Sequence, residues 1–314
     1  MISLQTILHR GLVAINKESL AKDDSSSYRA GSSGIFTEAG EIMGTCHRIT
    51  HLRKEGIQVP IEPERTIMFE CGRNNELAVL RFLEAGGQPA RKGEDGELSM
   101  EIAPGITVTG TPDVFLLDVS GKPFHILELK NVSSIYTIRS VSGKAEPKSP
   151  HLIQAALYSM LSGLPASIVY TSAMDWHIPF APKFIAEDMK GKPGVKYDND
   201  RPMCIQPQFV IYDTTWKDDT FAYRLEWDRA WNPTRITKQG LVDYYSAVDA
   251  MAKQEQLGPR PSKKTVTGGK SYNPCDPSYC KLANVCSSKE AQGYRAWKDA
   301  AILEVKKLTD EYGY

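Results

Sequence analysis

Apolar residues recur every three or four positions in some stretches of this chain and run together or alternate in others. Leu4, Ile7, Leu8, Leu12 and Ile15 follow helical spacing and predict an amphipathic first helix. The polar run over 22–34 reads as a loop. Residues 36–56 are helical by pattern and carry Cys46. Leu77, Leu80 and Leu83, at steps of three before Gly86 and Gly87, predict a helix over 72–86. Glu76 then falls in its first turn, where the helix dipole favours a carboxylate. Two apolar runs, 105–119 and 123–132, flank the turn Ser120-Gly121-Lys122-Pro123 and predict strands. Pro150 opens a helix over 151–163 that stops at Gly163, and 167–173 reads as a strand. Residues 175–207 read as loop or irregular insertion, 208–215 and 221–227 as a hairpin pair, and 234–256 as a helix. A long linker over 258–274 and a last helix over 288–308 complete the chain.

This mixture of helices and strands predicts an α/β fold, a central mixed sheet flanked by helices. Three segments are expected: an N-terminal helical part over 1–60, a core over 61–255, and a Cys-rich segment with the last helix over 256–314. Apolar residues make up 41% and charged residues 24% of the 314, ordinary values for a soluble globular protein. Lys+Arg and Asp+Glu are both 38, so any attraction for nucleic acid must be local. No segment approaches the roughly 20 apolar residues that cross a bilayer, so no membrane partner is expected. The first twenty residues lack the apolar core and cleavage site of a signal peptide, which predicts an intracellular protein. Disulfides are disfavoured there, and the 6 cysteines need another explanation.

The candidate chemistry centres on Asp113 and the sequence Glu128-Leu129-Lys130. Residues two apart on a strand share a face, so Glu128 and Lys130 point the same way. With Ser120-Gly121 as a two-residue hairpin loop, Val119 pairs with Lys122 and Asp113 falls opposite Glu128. Directly opposed Cβ atoms lie about 4.5–5.5 Å apart. Two carboxylates that close repel each other unless a cation separates them. Mg²⁺ suits the gap, since it is held by one or two carboxylates plus water and phosphate oxygens. Lys130 would orient or deprotonate a water and stabilise charge on a phosphate. A solvated surface hairpin gives the same pattern when read alone. Against it, the acids sit within apolar runs, where unpaired charge is costly. Gly110-Thr111-Pro112 also places a bend just before the acid, and a helix with Gln154 and Tyr158 follows.

Together these segments resemble a known family. Gly110 to Asp113 (GTPD), Glu128 to Lys130 (ELK) and Gln154 to Tyr158 (QAALY) resemble motifs II, III and QxxxY of RecB-type PD-(D/E)XK nucleases. Gly72 to Glu76 (GRNNE) resembles their motif I, whose last position is His in many members and Glu in lambda-type exonucleases. The resemblance implies a restriction-endonuclease-like core that hydrolyses DNA with Mg²⁺ or Mn²⁺. Glu76, Asp113, Glu128 and the Leu129 carbonyl would bind that metal. Lys130 would be the catalytic lysine, and Gln154 and Tyr158 would contact DNA or order the site. Glu70 is the lesser alternative to Glu76.

Three cysteines, Cys275, Cys280 and Cys286, crowd near the C-terminus, and Cys46 lies far upstream. Clustered thiolates in an intracellular chain favour zinc or an iron–sulfur cluster. The arrangement is similar to that of AddB nuclease domains and CRISPR-adaptation exonucleases, with one cysteine before the core and three after it. The resemblance implies a [4Fe-4S] cluster held by all four, with structural Zn²⁺ as the alternative. The spacing from Cys275 to Cys280 is longer than that pattern has. His47 is a lesser candidate ligand, and Cys71 and Cys204 are assigned to packing.

Arg139, Lys144 and Lys148, then Lys263, Lys264 and Lys270, then Arg48, Arg53 and Lys54, form three basic groups suited to a phosphate backbone. Tyr136, Trp176 and Tyr272 are candidates for stacking on bases. Each is equally an ordinary surface residue. The expected function is a metal-dependent deoxyribonuclease, an exonuclease on single-stranded DNA or free ends. The alternatives are a structure-selective endonuclease, a non-catalytic DNA-binding or assembly subunit with the same fold, and a zinc-ribbon interaction protein. No protein partner is indicated.

Overall fold

The computed structural model describes residues 8, 10–15, 17, 27–132, 141, 147–171, 195–198, 201–205, 209–226, 228–261, 264–265, 271–277, 280–289 and 291–313, with backbone alone at 195–198, 201–205, 264–265 and 271–272. The first elements are β1 (Tyr28–Arg29), β2 (Gly34–Phe36), β3 (Ile42–Gly44), α1 (His47–Lys54) and α2 (Pro63–Ala85). Then come β4 (Ala90–Lys92), β5 (Leu98–Ala103), β6 (Ile106–Gly110), β7 (Val114–Leu117), β8 (Pro123–Asn131), α3 (Ser149–Ser162) and β9 (Ala166–Thr171). Strands β10 (Val195–Asp198) to β14 (Asn232–Thr237) follow, with β11 at Arg201–Ile205, β12 at Phe209–Lys217 and β13 at Thr220–Leu225. The chain closes with α4 (Lys238–Gln254), β15 (Lys264–Thr265), β16 (Ser271–Tyr272), α5 (Ala283–Ser287) and α6 (Tyr294–Tyr312). Among the described residues no helix is long and apolar enough to cross a membrane.

The chain forms two compact units, one of Met1–Arg73, Ser99–Gly110 and Ile236–Tyr314, the other of Asn74–Leu98 and Thr111–Arg235. This division interleaves the chain, where the sequence reading cuts it into three consecutive segments.

In the first unit β6 pairs in parallel with β1 and also borders β5, and β2 pairs antiparallel with β3. The β2–β3 pair admits only glycine at position 34, since a Cβ there would stand 2.6 Å from the Met43 carbonyl oxygen. Leu52, Met251, Leu282, Tyr294, Trp297 and Ala301 form its core, joining α1 to the last segments of the chain. Trp297 is fully buried at its centre.

The second unit is built on a seven-stranded sheet of order β14-β13-β12-β9-β8-β7-β4. Strands β4, β7 and β8 are antiparallel, as are β9, β12 and β13, while β8 and β9 are parallel. A parallel pair needs a crossover, and α3 supplies it between them. Apolar residues on both faces of β8 mark a strand covered on both sides. Leu127 and Leu129 pack with Val79, Val114 and Val169, and Leu80 and Leu83 of α2 join them. The mixed α/β sheet architecture agrees with the sequence reading.

Several local expectations are corrected. Helix α2 begins at Pro63, not 72, because proline at a first turn loses no hydrogen bond and nothing between it and Gly72 breaks the pattern. Glu76 therefore sits mid-helix, away from any dipole at the N-terminus. The stretch 36–56 is the β2–β3 hairpin followed by α1, so Cys46 immediately precedes a helix instead of lying within one. The run 234–256 starts as strand β14, and Thr237 caps α4 by accepting the Gly240 N–H at 2.9 Å. The polar run holds β1, and 175–207 includes the β10–β11 hairpin. Residues 10–15 are helical, with Ile15 exposed, while Leu4 and Ile7 lie outside the described residues. Cys71 is exposed on α2 and does not serve packing.

Replacing Trp297 by alanine should cost about 3–5 kcal/mol, the usual loss for a buried large aromatic. Urea unfolding followed by circular dichroism measures it, and a loss under about 1 kcal/mol would remove Trp297 from the centre of that core.

Candidate active site

Strand β8 carries the chemistry out of a fully packed interior. Its register with β7 pairs Val114 with Leu127 and Phe115 with Ile126. One step further along the same ladder brings Asp113 to Glu128. The expected register thus holds, but by a different route. The connection is not a two-residue loop: β7 ends at Leu117 and a bulge lies between Leu116 and Leu117. Asp118 organises the turn, accepting from Ser120 N–H at 2.8 Å and Lys122 N–H at 2.9 Å. Gly121 is left-handed at φ 80°. The extra turn residues and the bulge offset each other, and the inward faces stay aligned.

The structure brings four of the sequence-predicted residues, Glu128, Lys130, Gln154 and Tyr158, into one hydrogen-bonded chain, with Asp113 held beside it by the backbone. Asp113 Oδ2 accepts the Leu129 N–H at 2.6 Å. The Lys130 ammonium donates to Glu128 Oε1 and, at 3.3 Å, to Gln154 Oε1. Gln154 Nε2 donates to Tyr158 Oη at 2.9 Å, and Tyr158 O–H donates to the Thr111 carbonyl at 2.9 Å. Gln154 and Tyr158 lie one turn apart on α3, so the helix ties Lys130 to the bend before Asp113. Glu128 is 0% exposed and its Oε2 has no hydrogen-bond partner among the described residues.

Charge is crowded at this point. Burial, then the charge of Asp113, pushes the Glu128 carboxyl up to about 8, although Lys130 opposes both. Burial and then Asp113 raise Glu76 to about 7, with Lys92 pulling the other way. Asp113 is itself raised, by burial, while Lys130 and the Leu129 N–H draw it back. For Lys130 burial would lower the pKa, but Glu128 and Asp113 outweigh it and hold the ammonium charged. Glu70 pairs with Arg73 along α2.

Residues the sequence reading passed over complete the surroundings. A Cβ on Gly93 would fall 1.4 Å from the Pro112 carbonyl oxygen, and Gly93 N–H donates to the Asp113 carbonyl at 3.1 Å. Only glycine lets this loop support the backbone beside Asp113. Lys92, next to it, adds a positive charge near Glu76 and Asp113. His151 Nδ1 lies 2.8 Å from Tyr170 Oη, which also accepts the Lys148 N–H at 3.1 Å. No motif in the sequence pointed to these residues, because each acts through a fold-specific approach and not through spacing.

All the carboxylates here are oxygen donors, the set a hard cation selects. A Glu128 oxygen without a partner among the described residues, and carboxyls raised by burial, are a donor set that a hard cation would fit. Still, among the described residues no three His, Cys, Asp or Glu side chains converge on one ion position. Lys130 occupies one oxygen of Glu128 and the Leu129 N–H one of Asp113.

In the first unit Cys46, Cys275, Cys280 and Cys286 are neighbours. Burial pushes the Cys46 thiol up to about 12, with Cys286 and Cys275 adding to it. Burial also raises Cys280, and the same two thiols contribute. Trp297 Nε1–H donates to Cys286 Sγ at 3.4 Å. His47 is fully buried between Phe36 and Tyr244, with ring centroids at 4.8 and 4.6 Å, and neither ring nitrogen has a partner among the described residues. Burial lowers its pKa to about 4.

Of the basic groups, Arg48 is buried, donating to the Gly258 carbonyl at 3.0 Å and lying over Trp297, so it serves packing and not a phosphate. Lys54 lies over the Tyr28 ring. Tyr136, Arg139, Lys144, Trp176, Lys263 and Lys270 lie outside the described residues, and Lys264, Tyr272 and Cys204 are described by backbone alone.

No family model matches the chain, and no curated protein sequence matches it. Among solved structures, an alkaline exonuclease from Laribacter hongkongensis matches 44% of this chain at 15% identity and a TM-score of 0.29. The match spans 62% of that enzyme's length.

Raised carboxyls make the metal-free protein sensitive to pH. Glu128 titrates at about 8 when folded against an ordinary 4.5, so folding favours its protonated form. That stabilisation is full below about pH 4.5 and is lost as pH rises through about 8. In EDTA the melting temperature should fall across this window, and Mg²⁺ should remove most of the fall by binding the ionised folded form. Thermal melts from acid to mild alkali check it; a flat profile, or one that Mg²⁺ leaves unchanged, would contradict the crowding.

Proposed function

We propose that this chain is a metal-dependent deoxyribonuclease of the RecB-type PD-(D/E)XK class, acting on single-stranded DNA or DNA ends as an exonuclease. The observation that carries the reading is the hydrogen-bonded chain Glu128–Lys130–Gln154–Tyr158–Thr111 with Asp113 held by the Leu129 N–H beside it, and a buried Glu128 oxygen without a partner among the described residues. A surface hairpin would leave these acids solvated, whereas here burial raises all three carboxyls and the charge of Asp113 adds to the rise at Glu76 and Glu128.

In this reading Asp113, Glu128 and the Leu129 carbonyl hold Mg²⁺ or Mn²⁺, and Glu76 lends a further oxygen. When bound, the ion supplies Lewis acidity toward a phosphate oxygen. The residues of the chain do the rest. Lys130 is held between Glu128 and Gln154, which fixes its ammonium on the face that Asp113 and Glu128 share. Lys130 orients a water and offsets the negative charge that grows on phosphorus oxygens during attack. Hydrolysis adds OH to phosphorus and a proton to the departing sugar oxygen. Tyr158 holds the Thr111 carbonyl and so fixes the bend that aims Asp113.

The reading extends to Cys46, Cys275, Cys280 and Cys286 as ligands of a soft centre, a [4Fe-4S] cluster ahead of Zn²⁺. Its support is the grouping of four thiols with an indole N–H aimed at one sulfur, since N–H donors to sulfur tune such centres.

Asp113→Ala, Glu128→Ala and Lys130→Ala should each reduce cleavage of end-labelled DNA in Mg²⁺ or Mn²⁺ by about 100-fold or more while the fold persists. Cleavage that continues in EDTA, or a fully active Asp113→Ala protein, would remove the assignment. Protein purified without oxygen should be brown and hold iron and sulfide, and Cys46→Ser should lower its iron content and melting temperature together. One equivalent of zinc without iron would replace the cluster by a zinc site.

A further inference from the structure

We propose that His151 contacts the substrate, its Nε2–H hydrogen-bonding a non-bridging phosphate oxygen of the bound polynucleotide. The inference rests on the nuclease reading and adds to it a residue that no motif contains.

Position comes first. His151, Gln154 and Tyr158 lie at i, i+3 and i+7 on α3 and so share one face. Gln154 on that face accepts from the Lys130 ammonium at 3.3 Å, and the Lys130 charge also reaches His151. The imidazole therefore stands one turn toward the helix start from the residue that holds Lys130. It is half-buried, and among the described residues its Nε2 has no hydrogen-bond partner.

The tautomer follows from the partners of Nδ1. The Lys148 backbone N–H can only donate, so Tyr170 Oη accepts it at 3.1 Å. Tyr170 is 2% exposed, and among the described residues its own proton has one acceptor, His151 Nδ1 at 2.8 Å. A buried hydroxyl whose proton met no acceptor would be costly. Nδ1 is therefore the acceptor, and the ring proton sits on Nε2, pointing away from Tyr170.

The charge state agrees with the geometry. Burial, then Lys130 and Lys148, lowers the imidazole pKa to about 3. The groups acting around it are Lys130 on β8 and Lys148 before α3, while Glu128 acts on Tyr170. An imidazolium beside two lysines would be repelled before any substrate arrived. A fixed neutral N–H avoids that repulsion yet still donates to an anion, the use of neutral imidazole known from enzymes that polarise oxygen. Among ligands of this site, the phosphodiester is the anion that Lys130 brings near.

The test uses the whole protein and end-labelled DNA with Mn²⁺. His151→Ala should raise KM about 10- to 100-fold, the worth of one hydrogen bond to a charged oxygen, with a smaller effect on kcat. His151→Gln should restore most of the affinity, because an amide can accept from Tyr170 and donate outward at once. The pH profile of His151→Ala between about pH 6 and 8 should keep the shape of the unaltered protein's, since a neutral imidazole adds no step there. Nitrogen-15 spectra of the ring should show the Nε2–H tautomer, and its signal should move when a short oligonucleotide binds in Ca²⁺. An unchanged KM in His151→Ala, failure of His151→Gln to restore it, or an Nδ1–H tautomer would each overturn the role of His151 while leaving the nuclease reading intact. An inactive wild-type protein under the same conditions would instead remove the nuclease reading, and this inference with it.

Discussion

Glu128 lies on a strand sealed on both faces, with an acid opposite it and another nearby, and the arrangement persists because Lys130 supplies one cation at close range. A buried carboxylate alone is costly enough that it protonates before it stays charged. One lysine offsets part of that cost for three acids, which is why all three carboxyls remain raised. Everything around the group serves to hold Lys130 and Asp113 where this balance exists. Gln154 and Tyr158 anchor them from α3, the Leu129 N–H holds Asp113, and Gly93 lets a loop press against Pro112. The apolar contacts of α2 with Leu127 and Leu129 seal the other face and carry Glu76 to the rim.

The same balance separates stability from chemistry. A site satisfied by its own lysine would bind nothing further. Here the lysine falls short: one Glu128 oxygen lacks a partner among the described residues, and Glu128 and Glu76 are pushed up to about 8 and about 7. In the reading proposed above, a hard cation held by oxygen ligands would meet that demand. Buried charge that is half satisfied is poor structure, and proteins keep it where function requires it.

Much of this was legible in the sequence because strand periodicity is rigid. Glu128 and Lys130 had to share a face, and the apolar runs around Asp113 and Glu128 could pair in register only one way without exposing their cores. That constraint survived an incorrect turn: the loop is longer than the Ser120-Gly121 reading, and a bulge at Leu116 returns the ladder to the same register. Helix boundaries were less legible. Nothing local distinguishes the start of α2 at Pro63 from a start near Gly72, since glycine mid-helix is tolerated when its neighbours pack. The strand at 232–237 was hidden by the helical pattern that follows it, and only its place beside β13 decides its form.

What the sequence did not carry at all are the contacts made by approach. Gly93 matters because a carbonyl comes within bonding distance of where its Cβ would be, and that carbonyl is nineteen positions away in the chain. Tyr170 and Lys148 set the ring of His151 through one phenol oxygen, and no spacing rule joins a strand tyrosine to a helix histidine. The four cysteines are the opposite case. Their expected grouping came from resemblance alone, and the core of Trp297, Leu52, Met251 and Leu282, against which Cys280 and Cys286 pack, is what draws α1 and the last segments together. An apolar core already brings the two ends of the chain together there, so a metal centre would add its binding energy to a contact that exists without it. Ligation would then sharpen the stability of that unit, and the loss on removing a thiolate would measure the increment contributed by the centre, not the cost of the whole fold.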